Sequence, residues 1–98
     1  MKIQILDRAE DDLVNGFDFY EEQEPGIGSY FLACLYADIK SLKLYAGIHP
    51  KPHKDYLRLL SKRFPYAIFY TIVGSEIRIH AVVDCRRAPS WISKHLDQ

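Results

Sequence analysis

His80 sits two residues after Arg78 and six before the Arg86-Arg87 pair. A histidine titrates near neutrality, and arginines grip phosphate or carboxylate with a planar fork. This stretch could therefore hold a general acid or base beside charge-stabilising groups. The plainer reading is a polar strand histidine beside arginines that pair internally, with Asp84 or an acid of the first helix as partner. Tyr66 belongs to an alternating aromatic set, Phe64, Tyr66, Phe69 and Tyr70. Two rings should point into the core and two outward, where they could stack on bases or receive a partner's apolar side chains. Residues 51–63 hold Lys51, His53, Lys54, Arg58, Lys62 and Arg63 against Asp55 alone. That basic run suits phosphates or an acidic partner, or simply a solvated surface. Trp91, two residues after Pro89, is either an exposed hot spot for a target or a latch. The latch is favoured, because Ile92 and Leu96 give the same short segment an apolar face.

Other chemistries fail on spacing. His49-x-x-x-His53 has the interval of a helical metal pair, but Pro50 and Pro52 forbid the helix and no acid or cysteine completes a site, so no metal is expected. Cys34 and Cys85 lack a base partner; Cys34 reads as packing beside an apolar stripe. Pro25-Gly26-Ile27-Gly28 follows a helix rather than a strand, so it is no phosphate loop. No cofactor is expected.

These residues need a scaffold. The chain has 98 residues, 48% hydrophobic and 27% charged, which predicts one folded domain spanning residues 1–98. No apolar run is long enough to cross a membrane, and the stretch Met1–Asp7 is too short for a signal peptide, so a cytoplasmic location is expected. The net charge of zero hides an asymmetry: residues 1–24 carry −6 and residues 25–98 carry +6. An acidic first helix opposite a more basic remainder follows.

Lys2 to Leu6 alternates as a short strand. Asp7 precedes Glu10 by three, a capping-box variant, and Ala9, Leu13, Gly16, Phe17 and Tyr20 keep helical spacing to about Glu24. Pro25-Gly26-Ile27-Gly28 breaks the chain. Phe31, Leu35, Ile39 and Leu42 then mark a second helix ending near Ala46-Gly47, where glycine can take the left-handed cap. Strands are expected at Tyr56–Leu60, Ala67–Val73 and Glu76–Asp84, with Gly74-Ser75 as a tight turn. In the last strand Ile77, Ile79, Ala81 and Val83 should face one way, and Arg78, His80, Val82 and Asp84 the other. Pro89-Ser90-Trp91 opens a short helix. The expected class is α+β: an N-terminal strand, an antiparallel helical hairpin packed on one face of a small, mainly antiparallel four-stranded sheet, and a short C-terminal helix. The other sheet face should be open and carry Arg78 and His80.

At Lys62-Arg63-Phe64-Pro65-Tyr66-Ala67-Ile68-Phe69-Tyr70 and at Val82-Val83-Asp84-Cys85-Arg86-Arg87-Ala88-Pro89-Ser90-Trp91 the chain resembles the RelE/ParE superfamily of type II toxin–antitoxin toxins. Ala9-x-x-Asp12-Leu13, Phe19-Tyr20-Glu21 and Pro25-Gly26-Ile27-Gly28-x-x-Phe31 fit the same pattern, so the resemblance covers nearly the whole chain. It implies a bacterial toxin held inactive by a cognate antitoxin. ParE-like members of that superfamily poison DNA gyrase; RelE-like members cleave mRNA on the ribosome without a metal. The arginine that such nucleases carry at the start of the third strand falls on Ala67 here, and their late tyrosine falls near Ile92. Arg86 matches an arginine after the last strand, leaving His80 or Tyr66 to fill the remaining catalytic roles. A protein working among ribosomal phosphates is usually strongly basic, whereas this one has a pI near 6.9. The ParE-like branch is therefore expected, with ribosome-dependent mRNA cleavage as the alternative. Arg58, Arg63, Arg78, Arg86, Arg87 and Trp91 are the expected contacts to target or partner.

Overall fold

The computed structural model describes residues 1–98. Four strands and three helices follow in the order β1 (Lys2–Ile5), α1 (Asp7–Gln23), α2 (Ile27–Tyr45), β2 (Leu57–Leu60), β3 (Tyr66–Val73), β4 (Glu76–Asp84) and α3 (Pro89–Leu96). The sheet order is β1-β4-β3-β2. β4 pairs antiparallel with β3 and parallel with β1, so the sheet is mixed but mainly antiparallel. The α+β class expected from the sequence is the one found, and no helix is long and apolar enough to cross a membrane.

α1 begins one residue earlier than the capping-box pattern implied. Leu6 is the N-cap and Asp7 makes no cap bond. The Leu6 N–H still donates to Ile79 O as a continuation of β1, so the helix has to start directly after it. Asp7 and Glu10 remain in the first turn, where the helix dipole favours acids. The start of α2 is capped from outside. The Glu21 carboxylate, near the end of α1, accepts the Gly26 N–H at 3.0 and 3.1 Å and the Gly28 N–H at 2.9 Å. Gly26 holds φ +96°, which only glycine adopts freely.

The hairpin packs one sheet face. Leu13, Phe31, Leu35, Ile39 and Leu42 bury against Tyr66, Ile68, Tyr70, Ile77 and Ile79. The helices cross closely at Gly16, where an added Cβ would lie 2.5 Å from the Phe31 ring. The expected alternation of β4 does not hold. Phe69 pairs with Ala81 but Tyr70 pairs with Ile79, which leaves His80 as an extra residue in a bulge. Beyond it the faces exchange: Val82 joins the hairpin core, while Ala81 and Val83 turn to the opposite side. That opposite face is not open along its length either. Leu96 of α3 packs there on Ala67, Phe69, Ala81 and Val83, with Ile92 and Tyr56 at the margin.

Candidate functional site

β1 pairs with β4 only as far as Ile79, so the rest of that edge needs another partner. It comes from α1. Asp12 stands between the buried Ala9, Leu13 and Gly16, and its Oδ2 accepts the Val82 N–H at 2.9 Å. The same carboxylate meets His95 Nε2 at 2.9 and 3.1 Å. Arg8 reaches the carbonyls of His95, at 3.0 Å, and Gln98. Tyr56 Oη donates to Leu96 O at 3.2 Å, and His53 and Lys54 hold Asp97. Together with buried Leu96, these contacts fasten α3 across β4. Burial raises the Asp12 carboxyl above its ordinary value, while the Val82 N–H, His95 and Arg8 pull the other way.

Trp91 lies on the side of α3 that borders α1 and the end of β4. It is 37% exposed. Its ring stacks on His95 with centroids 4.8 Å apart, and the Arg87 guanidinium stands 4.2 Å above it. The latch expected at Trp91 is therefore Leu96, five residues further along the helix and only 2% exposed. The Arg87–Trp91–His95 column, with Asp12, Tyr66 and Asp84, lines a recess of about 330 Å³. Arg86 turns back on Asp84, with its Nε at 2.9 Å and Nη2 at 2.7 Å from the two carboxylate oxygens. Asp84 is held below the usual carboxylate range by that contact, and Arg86 is held protonated by it.

Of the three catalytic candidates, Tyr66 is the cross-strand partner of Asp84, the carboxylate that holds Arg86, while His80 stands apart from both. Tyr66 faces the hairpin within the Tyr20, Phe31 and Phe64 rings. Burial, then the nearby Tyr20 and Asp84, pushes its phenol up to about 12, so it stays protonated. His80 lies on the opposite side of the sheet, edge-on to Tyr56 and 2.7 Å from Thr71 Oγ1. Its imidazole is lowered from the ordinary histidine value, first by burial and then by Arg78 and Arg8. Ala67, in the position where an arginine was expected of a nuclease, is buried. Of the other expected contacts, Arg78 pairs with Glu76 inside β4. Arg63 flanks a shallow pocket beside Asp38 and Lys62, and Arg58 lines a cleft beneath α3. The four aromatic residues do not split into core and outward pairs. Tyr66 and Tyr70 enter the hairpin core, Phe69 is buried under α3, and Phe64 packs on Tyr20 and Phe31. His49 and His53 serve different partners, Tyr70 and Asp97.

Three acids, Asp12, Glu21 and Asp38, hold the frame although none was singled out as a site residue. Asp38 accepts Ser61 Oγ at 2.6 Å and ties the β2–β3 turn to α2. The signal was available for Asp12 and Asp38, since both fall on or beside an apolar helical stripe, where a carboxylate needs a partner.

An N-terminal strand, a helical hairpin on one face of a mixed sheet and a helix fastened across its other face define the architecture. No protein-family model matches the chain, and no curated protein matches it in sequence. Among solved structures, it is similar to a chain described as a chromosomal ParDE TA system from P. aeruginosa. The TM-score is 0.79 at 20% identity, over 86% of this chain and 95% of that one. The chain has that fold.

Proposed function

We propose that this chain is the toxin of a type II toxin–antitoxin module, of the ParE-like branch, acting on DNA gyrase and neutralised by a cognate antitoxin. The observation that carries the reading is the likeness in fold to the ParDE chain at a TM-score of 0.79. The motif resemblance at residues 62–70 and 82–91 supports it independently. On this reading the 98 residues act as one toxin domain in the bacterial cytoplasm, and the gene serves plasmid or chromosomal maintenance.

The arrangement of side chains favours inhibition over RNA cleavage. A metal-free ribonuclease has to bring a base, an acid and a charge-stabilising cation to one phosphodiester. Here Tyr66 and His80 lie on opposite sides of the sheet, and Arg86 is committed to Asp84. The zero net charge also argues against a surface built for many phosphates. The test is induced expression with and without the neighbouring reading frame. Growth arrest that the neighbour relieves supports the module; growth indifferent to induction overturns it.

A further inference from the structure

β3 outruns β2. It continues to Val73, but β2 pairs with it only as far as Leu57, opposite Tyr70. Before Leu57 the chain turns out of the sheet at residues 53–56, so residues 71–73 have β4 on one side and no strand on the other. Bonding direction alternates along an antiparallel strand. Val73 and Glu76 close the Gly74-Ser75 turn, which aims the backbone bonds of Val73 and Thr71 at β4 and those of Ile72 away from it. The Ile72 N–H and C=O therefore face the unpaired side, where no loop reaches back to meet them. A cavity of about 490 Å³ opens on this edge, with Gly47, Lys51, Asp55 and Leu57 on the wall opposite residues 71–73. Lys51 and Asp55 join no ion pair within the chain. Beside Gly47 stand Leu44 and Ile48, the two most exposed large apolar side chains of the molecule at 80% and 75%, and Val73 is exposed as well.

We propose that a second copy of this chain pairs on this edge, β3 against β3, about a two-fold axis at Ile72. Each Ile72 N–H then donates to the other Ile72 C=O, the bonded pair of an antiparallel ladder, and Thr71 lies opposite Val73 of the second copy. The projecting end of each β3–β4 hairpin meets the other copy's cavity near Leu57. A three-residue edge supplies few backbone bonds, so its occupant has to add apolar and ionic contacts of its own. A second copy does both. It brings the same exposed Leu44, Ile48 and Val73, and its rim carries one base and one acid, so the two-fold can set each Lys51 against the other copy's Asp55. The inference does not rest on the toxin reading.

The test uses the purified protein alone. In sedimentation equilibrium its mass should rise with concentration from 11.4 kDa toward twice that value and no further. Amide exchange followed by NMR should show the Ile72 N–H slowed as the dimer fills, with the Arg63 N–H at the far end of β3 unchanged. Val73→Lys should weaken association about tenfold or more with an unchanged thermal melt, and Val14→Lys should change nothing. Lys51→Glu should weaken it too, and Asp55→Lys added to Lys51→Glu should restore it. Should Val73→Lys fail to fold, the Ile72 exchange of the unaltered protein still decides. A single-chain mass at every concentration, association that leaves Ile72 exchange unchanged, or a charge-swapped double variant no stronger than Lys51→Glu alone would each overturn the proposal.

Discussion

Asp12 accepts the Val82 N–H on the stretch of β4 that β1 leaves unpaired, and it meets His95 of α3 with the same carboxylate. Asp12→Ala removes both contacts and strands the N–H of the buried Val82. It should cost about 1–3 kcal/mol in denaturant unfolding; a loss within about 0.5 kcal/mol would place the acid among ordinary surface residues. The neighbouring Asp11 is exposed, and Asp11→Ala is the control. His80 sets a pH dependence of its own. Its folded value is lowered by burial, then by Arg78 and Arg8, and His49 is lowered by burial. The folded state thus prefers neutral rings. The stability they contribute is complete above the ordinary histidine value of 6.5 and is lost as pH falls below it toward the folded values. The thermal midpoint should fall as pH drops from about 7.5 to about 5.5, and His80→Gln should flatten that fall. An identical pH profile for the variant would contradict this reading of His80. At this scale the sequence was only partly legible. Residue types and spacing picked out His80, Tyr66 and the arginines, but nothing local shows that a bulge at His80 turns the residues beyond it to the other face.

α3 is where element-scale reasoning gained most from three dimensions. Pro89 at its first position and the apolar Ile92 and Leu96 announced the helix. The largest side chain drew the latch assignment to Trp91, yet helical periodicity puts Leu96 inward and leaves Trp91 stacked between Arg87 and His95. Leu96→Ala should therefore cost about 2–5 kcal/mol. Trp91→Ala loses only a partly exposed stack and should cost about 1 kcal/mol. Denaturant melts of the two variants side by side check the order, and a larger loss at Trp91 would reverse the assignment. The hairpin was more legible, because its stripes and its break are purely local signals. Its cap was not: Glu21 belongs to α1 in sequence but closes the N-terminus of α2 in space. Glu21→Ala should cost about 0.5–2 kcal/mol, as for loss of an N-cap, and a melt unchanged by the substitution would deny it that role.

Over the whole molecule, the element order and the helix-on-sheet layering followed from apolar periodicity, which reports which face each element buries. The edge on which β1 joins did not follow, because a four-residue strand with two apolar residues fits either edge of a meander equally well. The structure puts β1 parallel to β4, so the N-terminal strand and the α3 fastening share one edge of the sheet. The expectation of an open catalytic face failed for the same kind of reason, since periodicity in α3 does not say which surface it covers. What remains exposed beside α3 is an aromatic–arginine column, with a cleft lined by Arg58 and Arg87 beneath the helix. The most direct measurement is a paired assay of the purified protein: supercoiling by DNA gyrase and mRNA integrity in a reconstituted translation reaction. Gyrase-target binding predicts dose-dependent loss of supercoiling with translation and mRNA intact. Ribosome-dependent mRNA cleavage with supercoiling untouched would contradict it.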